Sequence, residues 1–149
     1  MLTMKKICII LPFFIVALLC GALFGVFRFS SVETGKPAVA YIYRDGSIVR
    51  TVLLSGTHPY PQELSDWIAH NNKKLYHVTP VVYVPKIRLF FPGQDRSFDF
   101  LTDAVVEGTY IRGASEKDKQ FTNWLLSRPG TKYDPAKHTF IIDTLMQSQ

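Results

Sequence analysis

Residues 38–54, AVAYIYRDGSIVRTVLL, set two β-rich runs on either side of Arg44-Asp45-Gly46. Ala38 to Tyr43 and Ser47 to Leu54 are rich in Val, Ile and Tyr, and Asp-Gly between such runs is a strong hairpin signal, because the tightest hairpin turns require positive φ at both central residues. The stretch therefore predicts an antiparallel pair and gives the register from which its neighbours are read. Downstream, Pro61 to Leu75 predicts a helix. Leu64, Trp67, Ile68 and Leu75 share a face, Pro61 suits a first turn, Glu63 and Asp66 sit early, and Lys73 and Lys74 sit late.

Val78 to Val84 and Lys86 to Phe91 read as strands separated by Pro85 and closed by Pro92-Gly93-Gln94. Phe98 to Ile111 reads as extended chain with a break near Thr102. Ser115 to Ser127 predicts a second helix, with Ser115 as N-cap, Asp118 at the capping-box position, and Phe121, Trp124 and Leu125 on one face before Pro129-Gly130 stops it. Lys137 to Leu145, centred on Phe140-Ile141-Ile142, reads as a last strand.

The predicted order is β-β-α-β twice. A gapless shift of 57 residues carries Trp67 onto Trp124, Tyr76 onto Tyr133, Gly56 onto Gly113 and Val49 onto Val106. Either a β-β-α-β unit is duplicated, or two amphipathic helices each carry an inward Trp. On both readings the fold class is α+β, an antiparallel sheet with helices on one face.

Upstream, Ile7 to Phe27 is twenty-one residues without a charge, preceded by Lys5 and Lys6 and followed by Arg28. As a helix it reaches about 30 Å, the hydrocarbon thickness of a bilayer. Ile7, Phe13, Val16, Leu19 and Phe27 are read as span residues, in a signal anchor with Pro12, Gly21 and Gly25 tolerated inside it. A signal peptide cut ahead of Leu23 and a lipoprotein modified at Cys20 are the competing readings; Leu23 to Phe27 prolongs the run beyond such a cut, and Leu19 stands where a lipobox has a small residue. The lysines on the N-terminal side keep that side in the cytoplasm. The expected organisation is a cytoplasmic tail at 1–6, a transmembrane helix at 7–27, a tether at 28–37 and a periplasmic domain at 38–149, in the inner membrane of a bacterial cell.

Seventeen basic residues against twelve acidic ones suggest a polyanion partner, but Lys5, Lys6 and Arg28 flank the span. Fourteen basic residues remain with no clustered run, which removes the electrostatic footprint of nucleic-acid binding. Cys8 and Cys20 both lie in the apolar run, so the outer domain has no disulfide, thiol nucleophile or cysteine metal ligand.

Asp95, Asp99, Asp103 and Glu107 recur every four residues, a helical stripe suited to acid-base work or cations. The same segment also alternates, with Phe98, Phe100, Ala104 and Val106 on one side and Asp99, Asp103 and Glu107 on a solvated strand face, and this reading is preferred. His58, His70, His77 and His138 form no metal-ligand spacing, and neither a GxSxG nor an SxxK motif occurs. No catalytic, cofactor or metal residues are assigned. His58 and Tyr60, in the rigid Gly56-Thr57-His58-Pro59-Tyr60-Pro61 loop, are the candidates for an interaction surface.

Asp45-Gly46, Leu64, Trp67, Asn71 or Asn72, Leu75 and Tyr76-His77-Val78-Thr79-Pro80 give Val39 to Pro80 a resemblance to a family of small enterobacterial membrane proteins known only as domain of unknown function number 943. The resemblance implies an inner-membrane location and no known activity. The expected function is a single-pass inner-membrane protein whose periplasmic domain binds another protein without catalysis, as an immunity or accessory protein does. An envelope hydrolase using Asp99 and Asp103, and a small-ligand or lipid-binding module, are the alternatives.

Overall fold

The computed structural model describes residues 27–29, 32–33, 35–54, 60–78 and 82–147. Among them run nine strands and three α-helices: β1 (Phe27–Phe29), β2 (Val39–Arg44), β3 (Ser47–Leu53), α1 (Gln62–Asn71), β4 (Leu75–Val78), β5 (Ile87–Phe91), β6 (Arg96–Phe100), β7 (Ala104–Glu107), β8 (Tyr110–Gly113), α2 (Glu116–Ser127), β9 (Thr131–Lys132) and α3 (Pro135–Gln147). The strands make one antiparallel sheet in the order β1-β4-β8-β7-β6-β5-β2-β3-β9, and the fold class is α+β.

The β2–β3 hairpin forms as its sequence predicts. Arg44 faces Ser47 across a two-residue turn in which Asp45 (φ 51°) and Gly46 (φ 78°) are both left-handed. A register irregularity at Ile42/Tyr43 adds twist beside the turn. Alternation then sorts the strands into two faces. Ala40, Ile42, Val52, Ile87, Leu89, Phe98, Phe100 and Val105 point to one side, where α1 and α2 deliver Leu64, Trp67, Ile68, Phe121 and Leu125. Trp67 is the centre of this core. It stacks on Phe121 at 5.1 Å, meets Phe98 edge-on at 5.2 Å, and is 2% exposed.

A buried polar network ties the two helices to the sheet. Arg112 of β8 places its guanidinium against both oxygens of Asp118 in α2 (2.7 and 2.8 Å), and donates to Asn71 Oδ1 of α1 at 2.8 Å. Trp67 Nε1 donates to Asp118 at 3.0 Å, and the Tyr76 hydroxyl of β4 donates to Asn71 at 2.8 Å. The Arg112 guanidinium also lies 5.1 Å over the Tyr76 ring. The capping box read from the sequence is present: Asp118 accepts from the Ser115 amide and hydroxyl, and Ser115 caps the Asp118 amide. Burial pushes the Asp118 carboxyl up, but the Arg112 and Ser115 hydrogen bonds outweigh it and hold the group well below the usual carboxylate range.

Several boundaries differ from the sequence reading. Lys137 to Leu145 is helical, not a strand: Asp134 Oδ1 accepts from the Ala136 amide at 3.2 Å, Pro135 opens the helix, and His138, Ile141 and Leu145 fall on one face. Three consecutive apolar residues suggested a strand, while the cap and the 3-4 spacing decided for the helix. Helix α1 ends at Asn71, and Leu75 opens β4 instead of closing the helix. Residues 82–85 carry no regular structure. Helix α3 packs on the second face of the sheet through Leu145 and Ile141 against Val39 and Tyr41, so the helices do not all share one face.

The N-terminal boundary moves as well. Phe27, read as the end of the span, is the first residue of β1 and pairs with His77. The tether at 28–37 is part of the domain: Val32 is in the core, its amide donating to Asn72 Oδ1 at 2.6 Å, and Glu33 N donates to Gln94 Oε1 at 3.0 Å. Ile7, Phe13, Val16 and Leu19 lie outside the described residues, and no described helix is long and apolar enough to cross a membrane.

Replacing Asp118 with Ala leaves Arg112 buried without its counter-charge and should cost about 3–5 kcal/mol of stability. Urea unfolding followed by near-UV circular dichroism of the tryptophans measures it. The double replacement Arg112→Met, Asp118→Leu should recover at least half of that loss, because no unpaired charge is then buried.

Candidate functional site

On the face opposite Trp67, neighbouring strands bring Thr51, Tyr41, Arg88, Asp99 and Val106 side by side in one row across β3, β2, β5, β6 and β7. Asp99 is 3% exposed and is gripped by Arg88 through two hydrogen bonds of 2.6 and 2.8 Å, with the Tyr83 hydroxyl donating to it at 2.7 Å. Burial, then the bond and charge of Asp99, push the Tyr83 hydroxyl up to about 12. The row ends under α3. There Tyr41 shares a hydrogen bond with His138 Nε2, their rings 4.8 Å apart, and the Tyr133 ring stands 5.6 Å from the imidazole. Burial pushes the Tyr41 hydroxyl up and the His138 imidazole down, so both groups are neutral near pH 7.

Between α3 and the β3–β9 edge lies a half-open groove of about 640 Å³. Its apolar wall is Val39, Leu53 and Ile141; Thr51, Tyr133 and His138 also line it, and Lys132, Asp134 and Lys137 contribute the charges. The chain can turn tightly enough to form this edge because Gly130 has no side chain. A Cβ there would stand 2.5 Å from the Thr51 carbonyl oxygen. The groove's other wall, α3, has Leu145 as its one buried side chain among the described residues, with Ile141 and Ile142 half-buried beside it.

The carboxylate stripe read from the sequence is broken up: Asp99 and Glu107 are buried on opposite faces, while Asp95 and Asp103 are exposed. Thr102 and Asp103 turn between β6 and β7 so that Asp99 faces Val106 while Phe100 faces Val105; Val106 therefore lies with Asp99, and Glu107 lies on the face of Phe98. Glu107 is 5% exposed and bound by Arg96 at 2.5 Å. Asp95 caps a short three-ten helix at Pro92–Gln94, and Asp103 is exposed in the turn. The sequence reading missed the arginines. Arg88 has a register clue, since it pairs directly with Asp99 on the neighbouring strand.

Tyr60, taken from the sequence as a surface candidate, is a core residue, 7% exposed. Burial pushes its hydroxyl up to about 12, offset in part by hydrogen bonds from the Lys36 and Gly35 backbone. His58 lies outside the described residues. A Ser-His-Asp grouping does exist, with Ser115 Oγ 3.4 Å from His70 Nε2, but it lacks the order of a catalytic triad. The Ser115 proton goes to Asp118 at 2.5 Å, and Asp118 is saturated by Arg112 and Trp67. Among the described residues, no three His, Cys, Asp or Glu side chains gather as metal ligands.

A second, smaller groove between α1 and α2 is lined by Glu63, Asp66, Trp67, Lys117, Gln120, Phe121 and Trp124. Its aromatic rings resemble a cation cage, yet their faces are already occupied. Trp67, Phe121 and Trp124 stack on one another at 5.1 and 5.5 Å, and Arg128 covers Trp124 at 5.0 Å. Faces engaged in stacking or covered by Arg128 are not open to a cation. This ladder is a packing device. The groove under α3 is the candidate site.

No family model matches the chain, and neither a curated protein nor a solved structure matches it.

Because His138 is held neutral by burial, its contribution to the α3 contact is complete above the ordinary histidine value of 6.5 and is lost as pH falls below it. Limited proteolysis at Lys137 should therefore accelerate between about pH 7.5 and pH 5.5, and His138→Gln should flatten the profile. An equal acid response in His138→Gln would assign the change to other groups.

Proposed function

We propose that the chain is a single-span inner-membrane protein whose outward, periplasmic domain is a non-catalytic protein-interaction domain of the immunity or accessory kind. The observation that carries the binding role is α3, which leaves Phe140 74% and Met146 54% exposed while its Ile141–Leu145 side rests on the sheet. Aromatic and Met side chains left in water on the rim of a helix are the groups that anchor protein interfaces. The partner offers an apolar recess to this ridge.

The membrane assignment rests on the uncharged Ile7–Phe27 run, its lysine flank, and the resemblance of Val39 to Pro80 to domain of unknown function number 943. With Phe27 already in β1, the span is Ile7 to Val26 and the domain sits directly on the bilayer surface. An internal duplication is supported by the same 57-residue shift, which lays β2 on β6, β3 on β7 and α1 on α2. Catalysis by Asp99 is disfavoured chemically, because Arg88 and Tyr83 take both of its oxygens.

Crosslinking in intact membranes and pull-down of the full chain, with sequencing of its N-terminus, tests the proposal. A single stoichiometric partner with an uncleaved N-terminus is expected. Phe140→Asp should weaken its capture by about 30-fold, the loss of one interface anchor. A cleaved, soluble, partnerless product would overturn both the anchor and the interaction role.

A further inference from the structure

The groove beneath α3 is separate from the Phe140–Met146 ridge, which lies on the exposed side of the same helix. We infer that this groove is a binding site for a small amphipathic anion: an apolar body, alkyl or aryl, carrying one carboxylate. The inference is independent of the protein partner proposed for the ridge.

Size comes first. About 640 Å³ falls within the roughly 300–1,000 Å³ of ordinary small-molecule sites. The lining is mainly apolar. Leu53 is 53% exposed on a sheet face where its neighbours Val39 and Tyr41 are buried, so an apolar wall stands open to water beside a finished core. Ligand carbon laid against Leu53, Val39 and Ile141 would remove that surface from water at roughly 25 cal/mol per Å².

Charge then selects the head group. The groove carries Lys132 and Lys137 against one carboxylate, Asp134, and the His138 imidazole on its lining is neutral and bonded to the buried Tyr41 hydroxyl. An anionic head is drawn to the lysines, while a cation would meet a net positive lining. The Nε2 of His138 is already bonded to Tyr41, so the carboxylate is left to the lysines while the apolar body lies along Leu53 and Ile141. Entry needs no new opening in the sheet. Helix α3 is held by buried Leu145 with half-buried Ile141 and Ile142, its other apolar residues being exposed, and the groove beside it already opens to solvent.

The probe is 4-benzoylbenzoate, an aromatic carboxylate that inserts into nearby C–H bonds under near-ultraviolet light, applied to the full-length protein in its membranes. Adducts should map to Leu53 and to residues 131–141. Labelling should fall about tenfold in Lys132→Glu/Lys137→Glu, and equally when uncharged benzophenone replaces the probe. Leu53→Trp, which fills the groove, should abolish it. These positions are exposed, so unchanged near-UV circular dichroism verifies that each variant is folded. Competition by dodecanoate identifies an alkyl ligand, and competition by 2-naphthoate an aryl one. Adducts confined to Ile7–Phe27, or labelling undiminished in both the charge-reversed and groove-filled variants, would overturn the site, and equal labelling by benzophenone would overturn the anionic head group.

Discussion

The contact between Arg112 and Asp118 is the interaction on which the described domain depends. It is a two-point ion pair inside a core, with side chains 6% and 1% exposed. Such a pair is tolerable only when its remaining polar positions are filled, because a buried charge without partners costs several kcal/mol. Here Asn71, Ser115 and Trp67 fill all but the Arg112 Nε position, and in doing so they bring the C-terminal end of α1, the N-terminal end of α2 and strand β8 to one point. Tyr76 extends the same network to β4. Asp118 therefore serves twice, as the capping residue of its own helix and as the counter-ion of a neighbouring strand.

The two faces of the sheet follow different physical rules. On the Trp67 side, dense aromatic packing and a buried polar network leave little freedom. On the other side, α3 covers β2 and β5 with a few aliphatic contacts and one tyrosine-histidine hydrogen bond. Loosely attached elements are where binding and conformational response concentrate, since they open at low cost without disturbing the core. The groove and the exposed ridge both belong to this element. In the proposals above, one helix presents the partner-binding surface outward and the wall of the ligand site inward.

What could be read from the sequence follows from the range of the forces involved. Local rules succeeded: Asp45-Gly46 made its hairpin turn, and Ser115 with Asp118 made its capping box. They failed where two local signals conflicted. Phe140-Ile141-Ile142 looked like a strand, but Asp134-Pro135 was already a helix start. Nonlocal pairing was out of reach. Asp99 and Glu107 looked solvated because nothing nearby in sequence announces Arg88 and Arg96, each eleven residues away. Of the candidate site, His138 was noticed only as a lone histidine, and its partner Tyr41, ninety-seven residues away, was hidden until β2 lay beneath α3. Tyr60 showed the reverse error, an aromatic residue in a loop that proved to be core.

Native-state hydrogen exchange, residue by residue across a series of low denaturant concentrations, tests the central claim directly. If the Arg112–Asp118 network unites the domain, the amides of α1, β4, β8 and α2 will lose protection together, in one cooperative opening, while α3 opens earlier and alone. Independent loss of α1 or β4 ahead of α2, or an α3 as protected as the core helices, would contradict the account.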